Sequence, residues 1–142
     1  MREDASGSTR TFVGYLASQD PAWQPRIAQK VEWSGTTIAA RGTKGVADAL
    51  QATEGSIAYL SYQEVVRRSL SAAQLRNKAG AYVLPGERTI QAAVAASDLA
   101  KGEETANLID LPAPDAWPIT ETTFVLIPRK LEDAAQGKRV LN

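Results

Sequence analysis

The segment from residue 2 to residue 9 is polar, contains a single glycine, and runs directly into a stretch with helical periodicity. It reads Arg2-Glu3-Asp4-Ala5-Ser6-Gly7-Ser8-Thr9, and apolar residues follow at Phe12, Val13, Tyr15 and Leu16. The first N–H groups of a helix have no intrahelical acceptor and lie at the positive end of the helix dipole. The pattern therefore predicts a helix over Ser6 to Ala17 whose N-terminus faces the polar segment.

The Arg2–Thr9 segment has two interpretations. As a phosphate site, Gly7 would let the backbone approach the anion, and Ser6 and Ser8 would add hydroxyl groups. The Arg2 guanidinium supplies a planar set of donors that fits an oxyanion. The same residues are also typical of an ordinary helix N-cap, in which Arg2 and Asp4 form a solvated ion pair. From these residues alone the cap is favoured, since short motifs often match by chance.

The composition disfavours several classes of function. The 142 residues include no cysteine and no histidine, which excludes cysteine nucleophiles, thiolate metal sites and the Ser-His-Asp triad. Lysine and arginine together number 16, as do aspartate and glutamate, without blocks of one sign, so nucleic acid is not expected as a partner. We therefore expect a binding protein rather than an enzyme, with no cofactor and no metal. No apolar run approaches the roughly 20 residues of a membrane-spanning helix, and no signal peptide is recognisable in this chain.

Helical and strand patterns alternate along the chain, which indicates an α/β architecture with a short mixed sheet flanked by helices. Further helices are predicted near Gly42–Glu54, Glu64–Ser69, Thr89–Leu99 and Leu131–Leu141. Short strands are predicted at Lys30–Trp33, Ser56–Tyr62 and Thr122–Ile127, and a small hairpin at Leu75–Val83.

With these elements assigned, the sequence resembles the PstS family, the phosphate-binding proteins of the bacterial phosphate ABC transporter. Four blocks carry the resemblance: Arg2-x-Asp4-x-Ser6-Gly7-Ser8-Thr9 with the helix after it, Val31-x-Trp33, Gly42-x-x-Gly45-Val46-Ala47 leading to Gly55-Ser56-Ile57-Ala58-Tyr59, and Asp115-Ala116-Trp117-Pro118-Ile119-Thr120 with the strand after it. Their order and spacing match the family over essentially the whole chain. The resemblance raises the phosphate interpretation of the Arg2–Thr9 segment above the simple cap.

The resemblance implies one lobe of a periplasmic-binding-protein type II fold, mainly the second lobe of the family. Residues 1–118 would form the phosphate-binding lobe, and residues 119–142 would contribute a crossover strand and the start of a helix. It further implies that inorganic phosphate is the ligand, that permease subunits of the transporter are partners, and that the protein works in the periplasm. By position, Arg2, Ser6, Gly7 and Ser8 would donate hydrogen bonds to phosphate, and Asp4 would orient Arg2.

The strand pattern at Thr122–Ile127 is apolar on both faces and would present an open edge if it stayed unpaired. Such an edge could fold back onto the lobe, pair with a second copy in a homodimer, or pair with a complementary chain. The glycine-rich turn of the family is largely replaced here by Ile38–Gly42, so contacts from that turn are not expected. An alternative function follows, namely a structural or interaction module that self-associates through this strand and binds little or no anion.

Overall fold

The computed structural model describes residues 1–124, which contain four α-helices and a small amount of strand. The helices are α1 Gly7–Gln19, α2 Gly42–Ala52, α3 Tyr62–Arg67 and α4 Glu87–Ala95. Two 3-10 helices cover Pro21–Arg26 and Asp98–Lys101, and the strands are β1 Leu75–Arg76 and β2 Tyr82–Val83. In this part of the chain, no helix is long and apolar enough to cross a membrane.

Helix α1 begins and ends as the sequence predicts to within two residues. Ser6 has the extended backbone of an N-cap residue, with φ −149° and ψ 132°, and Gly7 is the first helical residue. At the other end, the N–H of Asp20 closes the last turn on the carbonyl oxygen of Leu16, and Pro21 then starts a 3-10 helix. The polar segment therefore leads directly to the N-terminus of α1.

The hairpin predicted at Leu75–Val83 is present. Strands β1 and β2 are antiparallel, with Leu75 opposite Val83 and Arg76 opposite Tyr82. The turn between them is closed by the Gly80 N–H, which donates to the carbonyl of Asn77 at 2.8 Å, and Gly80 has a φ of +86°. A residue other than glycine rarely adopts this left-handed conformation, so the turn requires the glycine that the sequence provides.

Helix α1 supplies much of the buried core. The buried apolar residues come from α1, α2, α4 and the segment after it: Val13, Tyr15, Ala17, Val46, Ala47, Ala93, Leu108 and Ala116. Tyr15 also donates from its hydroxyl to the carbonyl of Arg76 at 2.8 Å, which ties α1 to strand β1. Asn77 is buried as well, and its side-chain amide donates to the carbonyls of residues 113, 114 and 116. The hairpin is therefore held on two sides.

Within residues 1–124, two of the predicted strands are absent, and the sheet found there is antiparallel rather than mixed. Neither Lys30–Trp33 nor Ser56–Tyr62 pairs with another strand of this part of the chain, and the parallel pairing in it is one isolated bridge between Arg2 and Ala40. The prediction that Ser56–Tyr62 is buried is also wrong, because Ile57 is 97% exposed. A strand is stable only when a neighbour takes its backbone hydrogen bonds, and an apolar pattern does not supply that neighbour.

The predictions for the C-terminal part lie largely outside the described residues. Thr122 to Phe124 have no regular structure, while Val125–Ile127 and the helix predicted at Leu131–Leu141 lie beyond residue 124. The division into residues 1–118 and 119–142 therefore stays a prediction.

The central role of α1 in the core leads to a stability prediction. Val13 is fully buried, so Val13→Ala should lower the free energy of unfolding by about 1–3 kcal/mol, through lost apolar burial and the cavity that remains. Val66 in α3 is 58% exposed, and the same substitution there should change it by less than about 0.5 kcal/mol. Urea unfolding followed by circular dichroism measures both variants. Equal losses at the two positions would contradict the burial of Val13.

Candidate anion-binding site

Arg2 is held in place by backbone hydrogen bonds to the segment that precedes α2. The N–H of Ala40 donates to the carbonyl of Met1 at 3.0 Å, and the N–H of Glu3 donates to the carbonyl of Ala40 at 3.1 Å. These two bonds flank Arg2 and form the isolated parallel bridge. Arg2 therefore lies beside the N-terminus of α2, although about 40 residues separate the two in sequence.

The Arg2 side chain is paired with Asp4 through two hydrogen bonds. Its Nε donates to Oδ1 of Asp4 at 2.8 Å, and its Nη2 donates to Oδ2. Nη1 points to the hydroxyl of Thr43 at the longer distance of 3.4 Å. A guanidinium has five N–H groups, so this pairing orients Arg2 and still leaves donors for a ligand. The side chain of Arg2 is 15% exposed and that of Asp4 30% exposed, so solvent still reaches the pair.

Asp4 also caps helix α2. The N–H of Gly42, the first residue of α2, donates to Asp4 Oδ1 at 2.9 Å. The hydrogen bonds from Arg2, followed by the one from Gly42, hold the pKa of the Asp4 carboxyl well below its ordinary value of 3.8. In return, the hydrogen bond to Asp4 raises the pKa of Arg2. Both side chains are therefore charged throughout the physiological pH range.

The N-terminus of α1 offers unpaired hydrogen-bond donors. Ser6 is buried, its N–H donates to the carbonyl of Gln29 at 2.8 Å, and its side chain does not cap the helix. Within residues 1–124, the N–H groups of Gly7, Ser8 and Thr9 donate to no acceptor. The first turn contains no acidic residue of its own. Three amides at the positive end of a helix, with an uncommitted serine hydroxyl next to them, form a favourable environment for an anion.

Tyr59 connects the two parts of this arrangement, and the sequence pattern did not identify it. Its hydroxyl accepts the backbone N–H of Arg2 at 3.3 Å and lies 2.8 Å from the hydroxyl of Thr9 in α1. Its ring stacks on Phe12, with 4.8 Å between centroids, and Trp33 packs nearby. In the sequence, Tyr59 belongs to an apolar run that predicts a buried strand, so its bridging hydroxyl becomes evident only in three dimensions.

A second residue that the pattern missed is Glu121, whose carboxylate lies at the N-terminus of α1. Its Oε1 lies 2.5 Å from the position that a Cβ on residue 7 would take, so Gly7 makes room for it. The hydroxyl of Thr11 donates to Oε2 of Glu121 at 3.4 Å. Negative charge is stabilised at this end of a helix. The carboxylate of Glu121 therefore lies where the positive end of the helix dipole would also attract a bound anion.

The five residues predicted for the site thus fall into two groups in space. Arg2 and Asp4 form an oriented pair at α2, whereas Ser6, Gly7 and Ser8 share the N-terminus of α1. Tyr59 bridges the groups. The combination of a fixed guanidinium with free amides suits a tetrahedral oxyanion. In the described part of the chain, no three His, Cys, Asp or Glu residues come together to hold a metal ion.

Comparison with known proteins identifies the family of this chain. The family described as the PBP superfamily domain matches residues 1–141. The phosphate-binding protein PstS of Xylella fastidiosa Temecula1 is 33% identical over 144 residues, which cover 99% of this chain and 39% of that protein. The PstS proteins of Methanocaldococcus jannaschii and Haemophilus influenzae are 31% and 30% identical, over 89% and 99% of this chain. The resemblance to PstS and the α/β lobe expected from the sequence are confirmed, and the chain spans about two fifths of the length of these relatives.

The Arg2–Asp4 pair leads to a prediction about acid stability. Because the pKa of Asp4 is lowered in the folded state, its stabilising contribution is present above the ordinary carboxyl pKa and is lost as pH falls below it. The free energy of unfolding falls as the pH is lowered from about 5 to about 2, and we expect it to fall less steeply in Asp4→Asn than in the wild type. Asp115 is exposed, and Asp115→Asn is the matched control. Urea unfolding at a series of pH values measures this, and a slope for Asp4→Asn equal to that of the wild type would contradict the pairing.

Proposed function

Because this chain belongs to the PBP superfamily, we propose that it binds inorganic phosphate, as part of the substrate-binding component of a phosphate ABC transporter. The observation that carries the proposal is the oriented Arg2 guanidinium beside α2, joined through Tyr59 to a helix N-terminus with unpaired amides. Relatives named phosphate-binding protein PstS align over 99% of this chain, with the Arg2–Thr9 segment inside the aligned region.

In this proposal each predicted residue has a distinct task. The remaining N–H groups of Arg2 donate charged hydrogen bonds to the phosphate oxygens, and Asp4 keeps the guanidinium in one orientation. The Ser6 hydroxyl and the amides of Gly7 and Ser8 donate from the N-terminus of α1. Directional donors of this kind hold an oxyanion without a large positive charge, which agrees with a chain in which acidic and basic residues cancel.

The wider context is also a proposal. As a member of a phosphate transporter, the protein would work in the periplasm and deliver phosphate to permease subunits, and it would bind rather than transform its ligand. The donors described here lie on one wall of the site. We therefore expect a dissociation constant of about 1 mM or weaker for the chain alone, because the ligand stays partly hydrated.

An alternative function is an interaction module that binds little anion. The 97% exposure of Ile57, in a segment that pairs with no strand among residues 1–124, favours it. Light scattering after size-exclusion chromatography separates the two functions, since an interaction module would show a stable assembly that phosphate leaves unchanged.

Substitution of Arg2 tests the phosphate proposal. Arg2→Ala should weaken phosphate binding at least tenfold, because charged hydrogen bonds contribute about 1.5–3 kcal/mol. Arg2→Lys keeps the charge but loses the planar fork, and it should also bind more weakly than the wild type. Arg10 is an exposed arginine on α1, and Arg10→Ala serves as the control. Calorimetry and amide chemical-shift titrations with phosphate and sulfate measure the affinities. Wild-type affinity in Arg2→Ala would show that the segment is only a helix cap.

Substitution of Glu121 should strengthen phosphate binding, whereas substitution of Arg2 should weaken it. Its carboxylate lies at the N-terminus of α1, so it would repel a phosphate bound there. Glu121→Gln should therefore tighten phosphate binding by about two- to fivefold, a modest factor because the side chain is exposed and screened. Glu103→Gln, also at an exposed position, should leave the affinity unchanged. Weaker binding in Glu121→Gln would mean that Glu121 contacts the ligand favourably.

A further inference from the structure

The backbone around Arg2 has hydrogen-bond partners on two opposite sides. The carbonyl of Met1 and the N–H of Glu3 both bond to Ala40, so this side of the segment faces the start of α2. Successive N–H groups of an extended chain point in opposite directions, so the N–H of Arg2 points away from Ala40. On that other side it donates to the hydroxyl of Tyr59 at 3.3 Å. Arg2 is therefore held from both sides.

Tyr59 in turn is anchored on α1 through both parts of its side chain. Its hydroxyl lies 2.8 Å from the hydroxyl of Thr9, and its ring stacks on Phe12 with 4.8 Å between the ring centroids. Thr9 and Phe12 are three residues apart in the helix, so they lie on the same face of it. Thr9 is only 1% exposed, and a buried hydroxyl requires a hydrogen-bond partner. Movement of Tyr59 away from α1 would break both contacts.

The direction of the hydrogen bonds through Tyr59 follows from its single hydroxyl proton. The hydroxyl accepts the N–H of Arg2, so its own proton is available for the hydroxyl oxygen of Thr9. The three residues form one directional chain of hydrogen bonds from the segment before α1 to the first turn of α1. The Arg2 guanidinium lies at one end of this chain, and the amides of Gly7 and Ser8 lie within two residues of its other end.

We infer that Tyr59 is a positioning residue of the phosphate site, which holds the Arg2 guanidinium at a fixed separation from the amides at the N-terminus of α1. The inference rests on the proposed function, because it requires both groups to bind the same phosphate. Tyr59 itself donates nothing to the ligand, since its proton is used by Thr9. It strengthens binding through preorganisation, because groups that are already in place lose less freedom when the anion binds.

Removal of the Tyr59 hydroxyl tests this role. Tyr59→Phe keeps the ring that stacks on Phe12 but loses both hydrogen bonds, and it should weaken phosphate binding by about three- to tenfold. Tyr82 is an exposed tyrosine on β2, and Tyr82→Phe, as the matched control, should bind phosphate like the wild type. Amide chemical-shift titrations with phosphate measure the affinities, and circular dichroism confirms that each variant is folded.

Three further variants distinguish positioning from a general loss of stability. Thr9→Val removes the acceptor and should weaken phosphate binding by a similar factor, whereas Thr9→Ser keeps a hydroxyl and should bind within about twofold of the wild type. Tyr59→Phe should cost less than about twofold in an Arg2→Lys background, because lysine lacks the planar fork that Tyr59 orients. The double variant of Tyr59→Phe and Thr9→Val should bind about as well as the weaker single variant, as expected for members of one hydrogen-bonded chain.

Hydrogen exchange without ligand measures how firmly Tyr59 holds the backbone of Arg2. In Tyr59→Phe the amide of Arg2 loses its acceptor and should exchange at least about tenfold faster. The amide of Glu3 donates to Ala40 in both proteins, so its exchange rate should change by less than about twofold.

The outcomes separate this inference from the proposed function. If the wild type binds phosphate and Tyr59→Phe binds it equally well, the positioning role is wrong and the proposed function stands. Equal losses from Tyr59→Phe in the wild-type and Arg2→Lys backgrounds would also overturn the inference, since Tyr59 would then not act through Arg2. An unchanged exchange rate of the Arg2 amide would do the same. A wild type that binds no phosphate would instead contradict the proposed function itself.

Discussion

The Asp4 carboxylate is the interaction on which the arrangement of the candidate site depends. It accepts two hydrogen bonds from Arg2 and one from the first amide of α2, so a single side chain fixes a guanidinium and caps a helix. Because these donors stabilise the charged form, the Asp4 carboxylate remains ionised throughout the physiological pH range. Without Asp4, the N–H of Gly42 would lose its hydrogen bond to the chain before α1.

The second constraint on the structure is that very little of the described chain forms paired β-strands. In residues 1–124 the helices and the aromatic contacts around Tyr59 hold the lobe together, while only two short strands pair. Ile57 is left exposed to solvent. The candidate anion site therefore lies on helix ends rather than on a sheet edge.

Helices and the hairpin were predicted well from the sequence, whereas the strands predicted at Lys30–Trp33 and Ser56–Tyr62 were not found. Helix α1, the hairpin turn at Gly80 and the start of α2 at Gly42 depend on local signals, namely a cap, a proline and glycines. The strand predicted at Ser56–Tyr62 depended on a neighbour that a local pattern does not reveal. Tyr59 and Glu121 were missed for a related reason, since their roles arise from contacts with residues far away in the sequence.

The sequence by itself determined the chemistry of the candidate site and its place at the start of α1. Arginine, aspartate, serines and a glycine at fixed spacing before a helix specify donors for an oxyanion because those properties belong to the residues themselves. Only the tertiary structure decided which partners those residues have. Hydrogen bonds from Arg2 to Thr43 and from Gly42 to Asp4 join positions about 40 residues apart, and such contacts form only when the chain has folded.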